Sequence, residues 1–81
     1  MAGNIHHMSA TYHVQANWDA EAGVWVSQSN IPGLVVEAAT LAEFVELVET
    51  LAPELLADNA DIHGHVPVEL RANGMLDLAV A

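Results

Sequence analysis

Hydrophobic and polar positions alternate from Thr11 to Trp18, with Tyr12, Val14, Ala16 and Trp18 on one side and His13, Gln15 and Asn17 on the other. A period of two is the mark of a half-buried strand. The link Asp19-Ala20-Glu21-Ala22-Gly23 has the length and the glycine of a hairpin loop, and alternation resumes from Val24 to Ser29. An antiparallel hairpin is predicted. Asn30-Ile31-Pro32-Gly33 then turns the chain, because proline presets φ and glycine accepts positive φ. Leu34-Val35-Val36-Glu37 reads as a third, more apolar strand.

At Thr40 the period changes. Leu41, Phe44, Val45, Val48, Leu51, Leu55 and Leu56 recur at three-and-four spacing and predict one helix with an apolar stripe across the sheet. Thr40 and Glu43 have the spacing of a capping box, in which the hydroxyl accepts from the Glu43 N–H and the carboxylate reaches back to the Thr40 N–H. Pro53 inside the stripe predicts a kink or a break into two helical pieces, and Asp58-Asn59-Ala60-Asp61 ends the helix. Val66 to Ala72 reads as a fourth strand with Pro67 near its start. Asn73-Gly74 is a two-residue hairpin signal, and Leu76, Leu78 and Val80 alternate after it, so an extra C-terminal strand is expected, with fraying or exchange with a neighbouring subunit as the other outcome. The reading is an α+β domain: an antiparallel three- to four-stranded sheet with one helix across it, in the order β-β-β-α-β.

The chain has 81 residues, enough for one domain and one small core. A domain of that size buries only about 60% of the surface its unfolded chain exposes. Cysteine is absent, so no disulfide adds stability, and the high apolar fraction leaves self-association as the remaining source, a homodimer or higher homo-oligomer. Residues 1–10 read as a disordered leader or tag remnant, with His6-His7-Met8 resembling a cloning scar, and residues 11–81 as the domain. They have neither the basic flank nor the apolar run of a secretion signal, and a cytoplasmic location is expected.

Charge changes the picture more than length does. Arg71 is the one Lys or Arg, against eleven Asp and Glu, for a formal net charge of −10. Phosphate backbones are bound by neutralising them with cations, so direct nucleic-acid binding is disfavoured, as is an anionic membrane. A basic protein partner is favoured.

Candidate chemistry is sparse. His63 and His65 flank a glycine but have no third ligand at a defined spacing. Glu37, Glu69 and Asp77 offer no spacing that forces carboxylates together for a divalent ion, as a metal-dependent nuclease remnant would need. Ser27 and Ser29 have no His–acid frame, and no glycine-rich phosphate loop is present. No enzymatic activity, cofactor or metal is expected. Two features point to interaction instead: Trp25, assigned to the same face as His13 and Gln15, and the row Glu43, Glu46 and Glu49 on one flank of the helix. Like charges at that spacing cost a helix roughly 0.2–0.5 kcal/mol per pair, so the row does not serve helix stability.

Taken in order, Trp18-Asp19-Ala20-Glu21-Ala22-Gly23-Val24-Trp25-Val26, Ile31-Pro32-Gly33-Leu34-Val35-Val36-Glu37-Ala38 and Thr40-Leu41-Ala42-Glu43 resemble the N-terminal, partial ribonuclease-H-like domain of HicB-like antitoxins. The match is nearest to a single-domain branch and spans Thr11 to Ala72. The resemblance implies a three-stranded sheet, a helix across it and a returning strand, without a ribonuclease active site. It also implies a partner, a small basic RNA-cleaving toxin of HicA type whose RNA-binding surface the antitoxin covers. The chain departs from the pattern at Ser29-Asn30, where an acid often precedes the proline, and at Ala38-Ala39, where a glycine–acid pair is common. A C-terminal DNA-binding domain of the kind that many relatives carry is not expected within these residues. An orphan module that pairs only with itself is the other function the sequence supports.

Overall fold

The computed structural model describes residues 11–81, so the expected leader at residues 1–10 lies outside the described residues. Five elements follow one another: β1 (Tyr12–Asp19), β2 (Val24–Ser29), β3 (Glu37–Ala38), α1 (Leu41–Ala60) and β4 (Val68–Asn73). The expected β-β-β-α-β order and α+β class are what the molecule has. The sheet runs β3-β2-β1-β4, and it is mixed rather than wholly antiparallel. β1 and β2 are antiparallel, β2 and β3 are antiparallel, and β4 lies parallel to β1. Direction dictates this. β3 runs the same way as β1, and a helix crossing the sheet carries the chain back, so the next strand repeats that direction as parallel connections do.

Local chemistry sets the corners. In the hairpin loop the Asp19 carboxylate accepts from the N–H groups of Glu21 (3.1 Å) and Ala22 (3.2 Å), while the Gly23 N–H donates to the Asp19 carbonyl at 2.8 Å. At Ile31-Pro32-Gly33-Leu34 the Leu34 N–H returns to the Ile31 carbonyl at 3.2 Å, with Gly33 at φ 81°. Proline second and positive-φ glycine third make this a type II turn. The corner is a packing device as well, since Ile31, Leu34 and Val36 are buried with Phe44, Ala52 and Leu56 of the helix.

Asn30 completes the start of β1. Its side-chain oxygen accepts from the His13 N–H at 2.9 Å and its amide donates to the Thr11 carbonyl at 2.9 Å. A carboxylate at this position cannot make the second bond, so Asn30 extends the ladder with a side chain where an acid would cap only half of it.

The third strand is shorter than the span Leu34–Glu37 read from sequence. Ser27 is the cause: its hydroxyl accepts from the Val36 N–H at 2.8 Å, while its own N–H donates to the Val36 carbonyl at 3.0 Å. Regular pairing begins one residue later, with Val26 opposite Glu37 and Trp25 opposite Ala38.

Thr40 caps α1 as expected, accepting from the Glu43 N–H at 3.1 Å. The carboxylate half of the box takes another form: the Thr40 hydroxyl donates to the Glu43 carboxylate at 3.2 Å. α1 passes Pro53 without breaking into two pieces. Pro53 lies on the exposed side, where water can bond the carbonyl it leaves without a donor, and buried Ala52 and Leu56 hold the turns on either side of it. The helix ends with Asp61 in left-handed backbone (φ 52°), and the Asp61 and Ile62 N–H groups both turn back to the Leu56 carbonyl. Of the predicted stripe, Phe44 and Leu56 are buried and Leu41, Val48 and Leu55 pack against them, whereas Leu51 is exposed. A four-stranded sheet this narrow is covered by one strip of helix, and Leu51 lies on its margin.

Candidate interaction surfaces

Three surfaces emerge, and the sequence-predicted interaction residues are divided among them. The first is the sheet face away from α1. β1 places His13, Gln15 and Asn17 there, and the registers bring Gln28 opposite Gln15 and Glu69 opposite His13. Amide side chains bridge the strands: the Gln15 amide donates to Asn17 at 2.8 Å and the Asn17 amide to Gln28 at 3.3 Å. His13 is exposed, and the face is polar with half-buried Val24 and Val26 beside the amides.

Trp25 is not on that face. The β1–β2 register sets Trp18 opposite Trp25 and Ala16 opposite Ser27, so Trp25 shares the helix side of the sheet with Val14 and Ala16. Alternation within β2 was legible; the coupling between the two strands was not, because it depends on register and not on period. Trp25 is half-buried against the core, and its ring lies 5.3 Å from that of Trp18, tilted by 56°. Aromatic pairs favour such tilted geometry. A cleft of about 460 Å³ opens beside the pair, bounded by Ala39, Ala72, Gly74 and Leu76.

The outer flank of α1 is the third surface. Glu43, Glu46, Glu54 and Asp58 are exposed around it, Glu49 is exposed further round at the rim of the groove beside β4, and the helix contains no Lys, Arg or His. Exposed Leu47 and Leu51 share the side of Glu43, Glu54 and Asp58 by their three-and-four spacing. Acid and aliphatic side chains together give a surface able to meet a basic, partly apolar protein and unsuited to a phosphate backbone.

Other candidate chemistry stays dispersed. His63 Nε2 lies 3.0 Å from Asp61, with both side chains exposed, and among the described residues no three His, Cys, Asp or Glu side chains gather as a metal would require. Glu69 is taken by Arg71, whose guanidinium donates to both carboxylate oxygens at 3.2 Å. A second groove, about 490 Å³, separates α1 from the chain entering β4 and is lined by Val48, Ala52, Leu56, Ile62, Val66 and Val68. It is apolar and has no convergent polar groups apart from exposed Glu49 and His63 at its rim. Among the described residues no helix is long and apolar enough to cross a membrane.

Comparison with known proteins bears on the lineage. No curated protein matches the chain. Among solved structures, a hypothetical protein of the extremely thermophilic bacterium Thermus thermophilus is similar at 46% identity, covering 84% of this chain and 96% of that one, with a TM-score of 0.63. Residues 11–76 match the family described as Domain of unknown function (DUF1902), which takes in every strand and the helix. The chain therefore belongs to the DUF1902 family.

Proposed function

We propose that the chain is a HicB-like, antitoxin-type protein-binding module that acts in the cytoplasm and neutralises a small basic RNA-cleaving toxin of HicA type by covering its RNA-binding surface. The observation that carries this reading is the outer flank of α1: a helix of exposed carboxylates, with no cation among them, set beside Leu47 and Leu51. Such a surface imitates the charge of the RNA that the toxin binds, and the leucines supply the apolar contact that a phosphate backbone lacks. The module does this by occlusion and contributes no catalytic group of its own.

Capture from host lysate tests the reading. The tagged chain is expected to retain a small basic protein at low salt and release it at high salt, since exposed charge pairs are screened. The captured protein should cleave RNA alone and stop when the chain is added back. Replacing Glu43, Glu46 and Glu49 together by lysine should abolish both capture and inhibition. A captured protein that cleaves no RNA, or one whose binding ignores both salt and the triple replacement, rejects the reading. A self-associating module without a toxin is the second reading, favoured by the exposed Met75, Leu76, Leu78 and Val80 beyond β4.

A further inference from the structure

Beyond Asn73 the chain does something the hairpin signal does not foretell. Residues 74–81 form no turn, bend or strand, and they leave the sheet without folding back. Leu76, Leu78 and Val80 are 83%, 74% and 89% exposed. Register explains the missing hairpin. A two-residue Asn73-Gly74 loop sets Ala72 opposite Met75, hence Leu70 opposite Asp77 and Arg71 opposite Leu76, which mixes the apolar and polar faces of the strand. A three-residue loop would restore the faces but needs left-handed backbone at its last residue, Met75, whereas among the described non-glycine residues Asp61 alone has positive φ.

β4 and its extension are one amphipathic strand. Val68, Leu70, Ala72, Leu76, Leu78 and Val80 occupy the even positions, with Gly74 at their centre. Only the first half of that strand has a neighbour, β1, and among the described residues β4 is the last strand at its side of the sheet. Leu70 is already 47% exposed on the helix side, because α1 does not extend over this edge. An unpaired edge with exposed aliphatic side chains is a template for another strand.

We propose that this edge and its extension form a homodimer interface in which residues 68–80 of two copies pair antiparallel about a two-fold axis at Gly74. The register is fixed by the sequence. It sets Val68 against the partner copy's Val80, Leu70 against Leu78 and Ala72 against Leu76, all on the helix side, and Arg71 against Asp77 on the other. Each extension lies along the other copy's β4, and both helices remain on the same side of one continuous sheet. Charge selects a second copy as the occupant. The stretch contains the one Lys or Arg of a strongly acidic chain, and the two-fold register places that Arg71 opposite Asp77 of the second copy, a pairing that within one chain would need the three-residue loop and its left-handed Met75. Gly74 assists, because a Cβ there would lie 3.1 Å from the Trp25 ring and 3.2 Å from the Trp18 Cβ. The tryptophan pair thus seats on bare backbone at the axis. The interface holds whether or not the chain also meets a toxin, since the acidic flank of α1 is not part of it.

Solution mass across a dilution series, by light scattering or sedimentation, is the test. The chain is expected to be a dimer that dissociates on dilution. Arg71→Asp and Asp77→Arg should each raise the dissociation constant by about tenfold, as each converts two cross-strand attractions into repulsions, and the combined variant should return it toward that of the parent. With no cysteine in the chain, Arg71→Cys combined with Asp77→Cys should give, on oxidation, a covalent dimer reversed by reductant. Circular dichroism on each variant checks that the fold persists. A monomer at all concentrations, a dimer indifferent to the single charge reversals or not restored by the combined one, or a bridge formed within one chain would each overturn the proposal.

Discussion

The two sides of the sheet use the same alternating chemistry to opposite ends. On the β3 side, the Ile31–Leu34 corner folds over the helix, so that Ile31, Leu34, Val36 and Ala38 are all buried within eight residues of chain. On the β4 side, Leu70, Leu76, Leu78 and Val80 are as apolar and as regularly spaced, yet they are exposed. The difference is coverage. α1 follows β3 after a two-residue link and packs on the β3 side along its length, with Phe44, Ala52 and Leu56 buried, while toward β4 an open groove remains beside Val66 and Val68.

This contrast separates what stabilises one copy from what is available to a second. A buried aliphatic side chain contributes about 1.5–3 kcal/mol relative to exposure, so the β3 side supplies most of the monomer's hydrophobic stabilisation and the β4 side supplies little until something covers it. The largest expected effect accordingly falls at the helix start. Phe44→Ala should lower unfolding free energy by about 3–5 kcal/mol, enough to unfold a domain of this size, and urea melts monitored by circular dichroism check it. An equal loss from changing Leu78 in dilute solution would erase the distinction between the two sides.

A smaller effect is expected at the corner. Gly33 is held at φ 81°, and a Cβ there would meet the Leu55 side chain at 3.3 Å. Gly33→Ala should cost about 1–2 kcal/mol from left-handed backbone, with the leucine contact deciding where in that range it falls. Thermal melts of the variant measure it. A loss well below that range would mean the corner is less rigid than its buried neighbours imply.

How far the sequence carried this picture depends on the kind of information each feature needs. Strand and helix periods, the Pro32-Gly33 turn and the Thr40 cap rest on neighbours within four residues, and all of them were legible. The parallel β4 rests on the direction the helix crossover imposes, and the side of the sheet that Trp25 occupies and the failure of the Asn73-Gly74 hairpin rest on register between strands, none of which period-two patterns reveal. Ser27 is a case in between: a serine in a strand was visible, but that its hydroxyl captures the Val36 N–H and shortens β3 requires two strands in place. The interaction residues show the same division. The acidic row on α1 was read from helical spacing alone, whereas grouping Trp25 with His13 and Gln15 required a register and placed it on the wrong face.

The smallest expected effect tests the exposed side most sharply. Leu78→Lys changes a side chain that is 74% exposed and has no part in the core cluster, so at concentrations where the chain is monomeric its unfolding free energy should shift by no more than about 0.5 kcal/mol. At concentrations where copies associate, the same lysine faces Leu70 of the second copy and leaves a charge against an aliphatic strand. Denaturant melts repeated at low and high protein concentration should therefore show the variant matching its parent when dilute and falling below it when concentrated. A variant that matches the parent at both would leave the apolar extension without a role in association. A variant weaker at both would mean that the extension already folds onto its own chain, and that the two sides of the sheet differ less than their exposure indicates.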